Sequence, residues 1–104
     1  MAESVIWSQE ALDDIDGIAE YIGRDSIYYA QQVVEQVFES GDALLNQPQL
    51  GRIVPELNDP QVRERFIYSY RLIYEIKEPD IYIMAVIHGK RLLETIEERF
   101  GPDT

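Results

Sequence analysis

The sequence lacks the residue types that nucleophilic and metal-dependent enzymes most often use. It contains no cysteine and a single histidine, His88. Without cysteine there are no disulfides, no thiolate metal ligands and no cysteine nucleophile. One histidine is too few for a typical zinc or iron site. The sequence also has no GxSxG motif, which a serine triad of the hydrolase type would need. We therefore expect neither a metal nor a cofactor.

Long apolar segments and glycine-rich loops are also missing. The longest apolar run, Ile81–Ile87, has seven residues, whereas a membrane-spanning helix needs about 20. The six glycines match neither the GxGxxG nor the Walker spacing of phosphate-binding loops. Residues Met1–Ser4 include neither the basic nor the apolar region of a signal peptide. These absences predict a cytoplasmic protein without a membrane partner.

Basic residues are scarce and unevenly placed. Nine Lys and Arg stand against 20 Asp and Glu, a net charge of −11. Residues 1–51 contain ten acids and one base, whereas residues 52–91 contain seven bases and six acids. This balance argues against general binding to nucleic-acid phosphates. We expect the acids of the first helix to form a solvated face; they are Asp13, Asp14, Asp16 and Glu20.

The first half of the chain predicts one strand and two helices. Ser4–Trp7 is β-branched and aromatic, which is typical of a strand. Apolar residues at three-and-four spacing predict a helix over 9–22. Ser8 would cap this helix, and Gly23 would end it with a positive φ. A second helix, capped by Ser26, would follow after a short link and form a hairpin with the first, ending at Asn46-Gln47-Pro48.

The second half has the pattern of a sheet. A short extended piece over 52–57 precedes two segments of alternating residues, 62–68 and 71–77. The segment 81–87 is apolar on both faces and predicts a central strand, and 92–100 predicts a short closing helix. The order β-α-α-β-β-β-α predicts a single α+β domain over residues 1–104. In it the N-terminal helix hairpin packs on one face of a small, mainly antiparallel sheet.

Polar side chains on the predicted sheet are the candidates for chemistry. Arg63 and Arg65 share a face of their strand, Arg71 interrupts an apolar strand, Glu56 precedes them and His88 ends the central strand. Arginines, a carboxylate and an imidazole on one open face could cleave a phosphodiester without metal. The base would take a proton from the 2′-hydroxyl, arginine would stabilise the phosphorane, and the acid would protonate the leaving oxygen.

Each candidate also has a purely structural interpretation. Arg63 and Arg65 alternate with Glu64 and could simply blunt a strand. A single histidine at a strand end is often only a hydrogen-bonding group, and Glu56 after a proline is a weak signal alone. Lys90 and Arg91 suit either the dipole of a neighbouring helix or a binding partner.

Several segments, taken in order along nearly the whole chain, resemble the RelE/ParE toxin superfamily. They are Trp7-Ser8-x-x-Ala11-x-x-Asp14-Ile15-x-x-Ile18-x-x-Tyr21-Ile22, Pro48-x-x-Gly51-Arg52-x-Val54-Pro55-Glu56-Leu57, Arg63-Glu64, Tyr70-Arg71-Leu72-Ile73-Tyr74 and Val86-Ile87-His88-Gly89-Lys90-Arg91. The resemblance implies the toxin of a type II toxin–antitoxin pair, with a cognate antitoxin protein as its partner.

The superfamily divides by target, and the resemblance favours one side. RelE-like members cut messenger RNA on the ribosome, and ParE-like members inhibit DNA gyrase. The long helix hairpin and the segment 51–56 look closer to the ParE-like branch. Some nuclease members use a glutamate, an arginine and a histidine, which would correspond to Glu56, Arg71 and His88. The tyrosine that often assists them is absent here, since no tyrosine follows Tyr82.

We therefore expect a toxin that binds DNA gyrase and is neutralised by its antitoxin, with Arg63, Arg65, Lys90 and Arg91 as target-binding residues. A ribosome-dependent, metal-independent endoribonuclease that uses Glu56, Arg71 and His88 is the alternative. A non-toxic binding module of the same fold is a third. The acidic first half predicts an antitoxin segment rich in Lys and Arg.

Overall fold

Two helices lie on one face of a five-stranded mixed sheet in the computed structural model, which describes residues 1–91 together with Glu98 and Arg99. The predicted α+β architecture is confirmed, and the predicted closing helix over 92–100 lies outside the described residues apart from those two. The described elements are β1 (Ser4–Trp7), α1 (Gln9–Gly23), α2 (Ile27–Asp42), a 3-10 turn (Ala43–Leu45), β2 (Arg52–Ile53), β3 (Val62–Ile67), β4 (Tyr70–Lys77), β5 (Asp80–His88) and a second 3-10 turn (Gly89–Arg91).

Serine side chains begin both helices, as the sequence predicts. The Oγ atoms of Ser8 and Ser26 each accept a hydrogen bond of 3.0 Å from the amide three residues further on. The end of α1 differs from the prediction, because Gly23 lies inside the helix and no described glycine has a positive φ. The chain turns instead through Arg24 in the right-handed helical conformation, and the carbonyl of Ile22 accepts the amides of the link. A left-handed glycine is therefore not needed there.

The sheet has the strand order β1-β5-β4-β3-β2. β5 lies between β1, which runs parallel to it, and the antiparallel β4, so the predicted central strand is confirmed. Strand β2 contains only Arg52 and Ile53, fewer residues than the predicted extended piece. It ends early because the carbonyl of Val54 accepts the amides of Leu57 and Asn58, which turns the chain back toward β3.

The two faces of the sheet bury separate cores. Residues of both helices cover one face, and the buried members of that core are Ala11, Ile15, Val33, Val37, Leu44, Ile67, Leu72, Tyr74, Ile81, Ile83 and Val86. The segment between β2 and β3 covers part of the other face, over Val54, Val62, Ile73, Ala85 and Ile87. Among the described helices, none is long and apolar enough to cross a membrane.

Trp7 joins the end of β1 to α2. Its ring lies 4.8 Å from the ring of Phe38, measured between centroids. It also lies directly over Gly41, where an added Cβ would overlap the ring. The absence of a side chain at residue 41 therefore lets the helix approach the sheet at this point.

One acid of α1 departs from the predicted solvated face. The carboxylate of Asp14 accepts a 3.0 Å hydrogen bond from the amide of Val86 on β5 and pairs with the guanidinium of Arg99. This position faces the sheet edge, because it follows the buried Ala11 by three residues and precedes the core-packed Ile18 by four. The predicted role of Asp14 as a solvated acid is therefore wrong.

Candidate functional site

A buried carboxylate lies on the face of the sheet opposite the helix hairpin. Glu64 on β3 is 1% exposed. Its Oε2 lies 2.6 Å from Nε of Arg52, and its Oε1 accepts a 2.5 Å hydrogen bond from Nε of Arg71. Strand register brings the three together, since Arg52 is directly paired with Glu64 and Arg71 lies diagonally across β4. A buried carboxylate is tolerated here because two guanidinium groups satisfy it.

A second carboxylate holds the outer side of Arg71. Both oxygens of Glu56 accept hydrogen bonds from its terminal nitrogens, at 3.1 and 3.2 Å, in a two-pronged pair. The Arg71 side chain is 9% exposed and that of Glu56 is 35% exposed. The Arg71 hydrogen bond lowers the pKa of Glu56 below its ordinary 4.5. Burial opposes the charge of Arg71, but its bonds to Glu56 and Glu64 outweigh this and raise its pKa.

These four side chains, Arg52, Glu56, Glu64 and Arg71, form what we call the arginine–carboxylate cluster. Two positive and two negative groups give it no net formal charge. The exposed ring of Phe66 borders it, with the Arg52 and Arg71 Cζ atoms at 4.9 and 5.7 Å from the ring centroid. The charged groups of the cluster therefore pair with one another, and the ring of Phe66 lies at its edge.

The buried side chain of Tyr74 fixes the segment that precedes Arg52 and Glu56. The hydroxyl of Tyr74 donates to the carbonyl of Pro48 at 2.7 Å and accepts the amide of Gly51 at 2.9 Å. A Cβ at Gly51 would meet the Glu64 carbonyl oxygen at 2.6 Å and the Tyr74 hydroxyl at 2.8 Å. Glycine at this position therefore lets β2 lie against β3.

The predicted grouping of Arg63 and Arg65 with Arg71 on one open face is wrong. Arg65 pairs with Leu72 across the β3–β4 ladder, on the face that the hairpin covers. Its Nη1 donates to the carbonyl of Ser40 on α2 at 2.9 Å. Arg63 lies on the same face and donates to the carbonyls of Pro60 and Gly51, both at 3.0 Å. Side chains of successive residues in a strand point to opposite faces of the sheet, which places Arg63 and Arg65 on the hairpin side. There both guanidinium groups bind backbone carbonyls.

His88 is likewise separated from the cluster. It pairs in register with Tyr70, whereas Arg71 pairs with Ile87, so alternation places the imidazole and the Arg71 guanidinium on opposite faces. The rings of His88 and Tyr70 meet edge to face at 5.9 Å between centroids. Of the three predicted nuclease residues, the structure brings Glu56 and Arg71 together and leaves His88 apart.

The remaining predicted target-binding residues lie beyond the end of the central strand. Lys90 and Arg91 belong to the 3-10 turn that follows β5, and Arg91 is exposed. The preceding Gly89 lies close to Arg71, since an added Cβ would be 3.8 Å from the Arg71 Cδ. This turn is therefore next to the cluster in space.

Glu64 and Arg52 are the site residues that sequence reasoning missed. The signal was present, because Glu64 stands between Val62 and Phe66 in the phase of the strand that faces the second core. A carboxylate in that phase needs a cation on the neighbouring strand, and Arg71 is the cation that interrupts β4. Among the described residues, no group of three His, Asp or Glu side chains could hold a metal ion.

Two solved structures share this fold, with its hairpin on a five-stranded sheet. Over 82% of this chain and 94% of the other, the fold matches a structure of the chromosomal ParDE TA system from P. aeruginosa, with 22% identity and a TM-score of 0.68. It also matches E. coli toxin RelE, a double arginine-to-alanine variant in the free state, over 96% of both chains with 18% identity and a TM-score of 0.68.

Sequence comparison identifies the family. Residues 5–93 match the model of the ParE toxin of the type II toxin–antitoxin system parDE. Toxin RelE2 of Caulobacter vibrioides is 28% identical over 89 residues, which cover 85% of this chain and 97% of that protein. The chain therefore belongs to the ParE toxin family, within the RelE/ParE superfamily, and is the toxin of a toxin–antitoxin pair.

Proposed function

We propose that this toxin inhibits growth by binding DNA gyrase in the cytoplasm and that a cognate antitoxin neutralises it. The observation that carries the proposal is that the charged groups of the arginine–carboxylate cluster are bonded to one another. Glu56 and Glu64 occupy the hydrogen-bonding edges of Arg71 that a phosphorane would need. The lowered pKa of Glu56 also makes it a poor proton acceptor near neutral pH.

The charge of the chain supports the same choice. A net charge of −11 opposes approach to the phosphate-rich ribosome, where binding gains from counterion release. The ParE-like resemblance of the sequence and the match to the ParE family both favour gyrase as the target. Arg63 and Arg65 keep a supporting role in this proposal, because they bind backbone carbonyls. We assign target contact to Lys90 and Arg91.

A supercoiling assay with purified gyrase tests the proposal. We expect the toxin to block supercoiling and to trap cleaved DNA complexes. The double variant Lys90→Ala/Arg91→Ala should need at least about tenfold more protein for the same inhibition, the loss expected when interface charges are removed. Arg24→Ala, which removes an exposed base between the helices, is the matched control and should inhibit normally. Normal supercoiling at excess toxin would refute the proposal.

A metal-independent endoribonuclease is the second candidate, because the structure brings Glu56 and Arg71 together. It predicts cleavage of messenger RNA only when ribosomes are present, with loss in Arg71→Ala. Cleavage that survives in both Arg71→Ala and His88→Ala would exclude this site. Growth that continues unchanged after induction would support the third reading, a non-toxic binding module.

A further inference from the structure

Aromatic side chains from α2, from the turn between β3 and β4, and from β4 lie at one end of the domain. The ring of Tyr29 on α2 lies 5.9 Å from that of Tyr68, in the turn between β3 and β4, measured between centroids. Tyr70 begins β4 beside them and contacts His88. Tyr21, Tyr29 and Tyr68 are between 46% and 69% exposed. We call Tyr21, Tyr29, Tyr68 and Tyr70 the tyrosine surface.

The electrostatics of Tyr70 link Tyr21 to this surface. Burial, and then the neighbouring phenols of Tyr21 and Tyr29, raise the pKa of the Tyr70 hydroxyl. Both phenols therefore lie within electrostatic reach of Tyr70. The tyrosine surface is separate from the arginine–carboxylate cluster, which lies on the opposite face of the sheet.

Tyr68 is held in a costly backbone conformation. Its φ is +56°, and Asn58 is the other non-glycine residue with positive φ in the described part of the chain. Tyr68 and Ser69 form a two-residue turn, since Ile67 pairs directly with Tyr70. The first position of such a turn favours glycine when its φ is positive. The side chain of Tyr68 is more than half exposed and contacts the ring of Tyr29, and strain held at such an exposed aromatic residue is typical of a functional site.

The charge around this surface identifies the chemistry of its partner. α1 contains four acidic residues besides Asp14, which pairs with Arg99; α2 contains three, and neither helix contains Lys or Arg. Tyrosine faces attract cations, and the planar guanidinium stacks on them better than an ammonium group does. Acidic helices beside exposed phenol rings therefore fit an arginine-bearing segment.

We propose that the tyrosine surface binds an arginine-bearing segment of the antitoxin, with Tyr68 as the central contact. This rests on the antitoxin part of the proposed function and not on gyrase as the target. The guanidinium groups stack on the rings of Tyr29 and Tyr68, and the carboxylates of the two helices supply the long-range attraction. Tyr68 is kept in place of glycine because its ring makes this contact.

Titration with short helical peptides tests the proposal on the whole chain. The probe is an alanine-based peptide with arginine at every fourth position, and its counterparts carry leucine or glutamate there. We expect the arginine peptide to bind at least about tenfold more tightly than the leucine peptide. Tyr68→Gly and Tyr29→Ala should each weaken its binding by about tenfold, as expected for aromatic contacts at the centre of an interface.

Two further measurements separate binding from folding. Tyr68→Gly should keep or raise the thermal midpoint, because glycine adopts positive φ without strain. Tyr28→Ala is the matched control: Tyr28 is exposed on α2 but rotated by about 100° from Tyr29. It should bind the peptide as the native chain does. If Tyr68→Gly fails to fold, Tyr29→Ala should still show weaker binding.

Three outcomes would overturn the proposal. The first is equal binding of the leucine and arginine peptides. The second is native affinity in both Tyr68→Gly and Tyr29→Ala. The third is a dimer of the native chain, seen by sedimentation and lost in Tyr68→Gly, which would assign the surface to a second copy. A native chain that leaves gyrase active would refute the gyrase proposal alone, because the peptide assay contains no gyrase.

Discussion

The carboxylate of Asp14 and the guanidinium of Arg99, 85 positions apart in the chain, form a two-pronged ion pair with distances of 2.7 and 3.0 Å. The same carboxylate accepts the Val86 amide, and Arg99 also donates to the carbonyl of Met84 at 3.0 Å. Asp14 thus connects α1 to β5 and to Arg99. Both side chains are less than one-fifth exposed, so water screens the pair only partly.

Replacing Asp14 by asparagine should lower the free energy of unfolding by about 1.5–3 kcal/mol, the usual contribution of a hydrogen-bonded charge. Urea denaturation would measure it. Asp16→Asn, on an exposed position of the same helix, is the control and should change the value by less than about 0.5 kcal/mol. Equal effects of the two substitutions would mean that Asp14 acts only through the net charge of α1.

Glu64→Gln should be among the most destabilising conservative substitutions in the chain. It removes a fully buried charge that two arginines require, and breaking such a pair costs about 3–5 kcal/mol. Glu56→Gln removes a partly exposed charge from the same cluster and should cost about 1 kcal/mol or less. Thermal or urea denaturation of both variants would show the ranking. The reverse ranking would contradict the description of Glu64 as the centre of the cluster.

The cluster also predicts a dependence of stability on acid. The pKa of Glu56 in the folded chain is below 4.5, its ordinary value, so the folded state binds fewer protons near that pH. The stabilisation by Glu56 is therefore complete above pH 4.5 and is lost as the pH falls through the folded pKa. Urea unfolding at a series of pH values should show the native chain and Glu56→Gln converging below pH 4.5. A constant difference throughout the acid range would exclude Glu56 as the source.

Two glycine-to-alanine substitutions should change the free energy of unfolding in opposite directions. Gly41→Ala places a methyl group inside the ring of Trp7 and should cost about 1–3 kcal/mol. Gly17→Ala, on an open position of α1 with no atom within 4 Å of the new Cβ, should stabilise by about 0.4–1 kcal/mol. Unfolding midpoints would measure both changes, and tryptophan fluorescence should shift only in Gly41→Ala. A neutral Gly41→Ala would mean that Trp7 moves freely away from α2.

Association with the antitoxin should slow as salt is added. The residues before β2 contain ten acids and one base, and exposed charges attract a basic segment over distances that salt screens. Stopped-flow association from about 50 mM to about 500 mM salt should therefore show a clear decrease in rate. A flat rate would mean that the acidic residues serve solubility alone and that the antitoxin segment is mainly apolar.

The order and type of the elements could be predicted because each has a local cause. Apolar periodicity and serine caps define both helices, and alternation defines β3 and β4. The end of α1 could not be predicted in the same way, because Gly23 satisfies the usual signal while the Ile22 carbonyl accepts the following amides instead. A helix signal of this kind does not specify which conformation ends the helix.

The site was predicted only in part, because strand register decides which residues share a face. Alternation within β3 correctly separated Arg65 from Phe66. Alternation alone does not specify that Arg65 pairs with Leu72. This pairing places Arg65 on the hairpin side, away from Arg71. Glu56 and Arg71 meet because a turn folds back over the sheet, and no periodic pattern encodes that turn.

The parallel pairing of β1 with β5 sets an order of events during synthesis. Ser4 lies opposite Asp80 in the sheet, so the first strand waits for a partner made 76 residues later. Until β5 leaves the ribosome, the helix hairpin has only part of its sheet to cover. Contacts of such long separation make folding slow, and incompletely folded chains expose apolar surface that is prone to aggregate. The apolar side of the hairpin of a nascent chain is therefore fully covered only after nearly its whole sheet has been translated, which leaves that surface accessible to a partner already present.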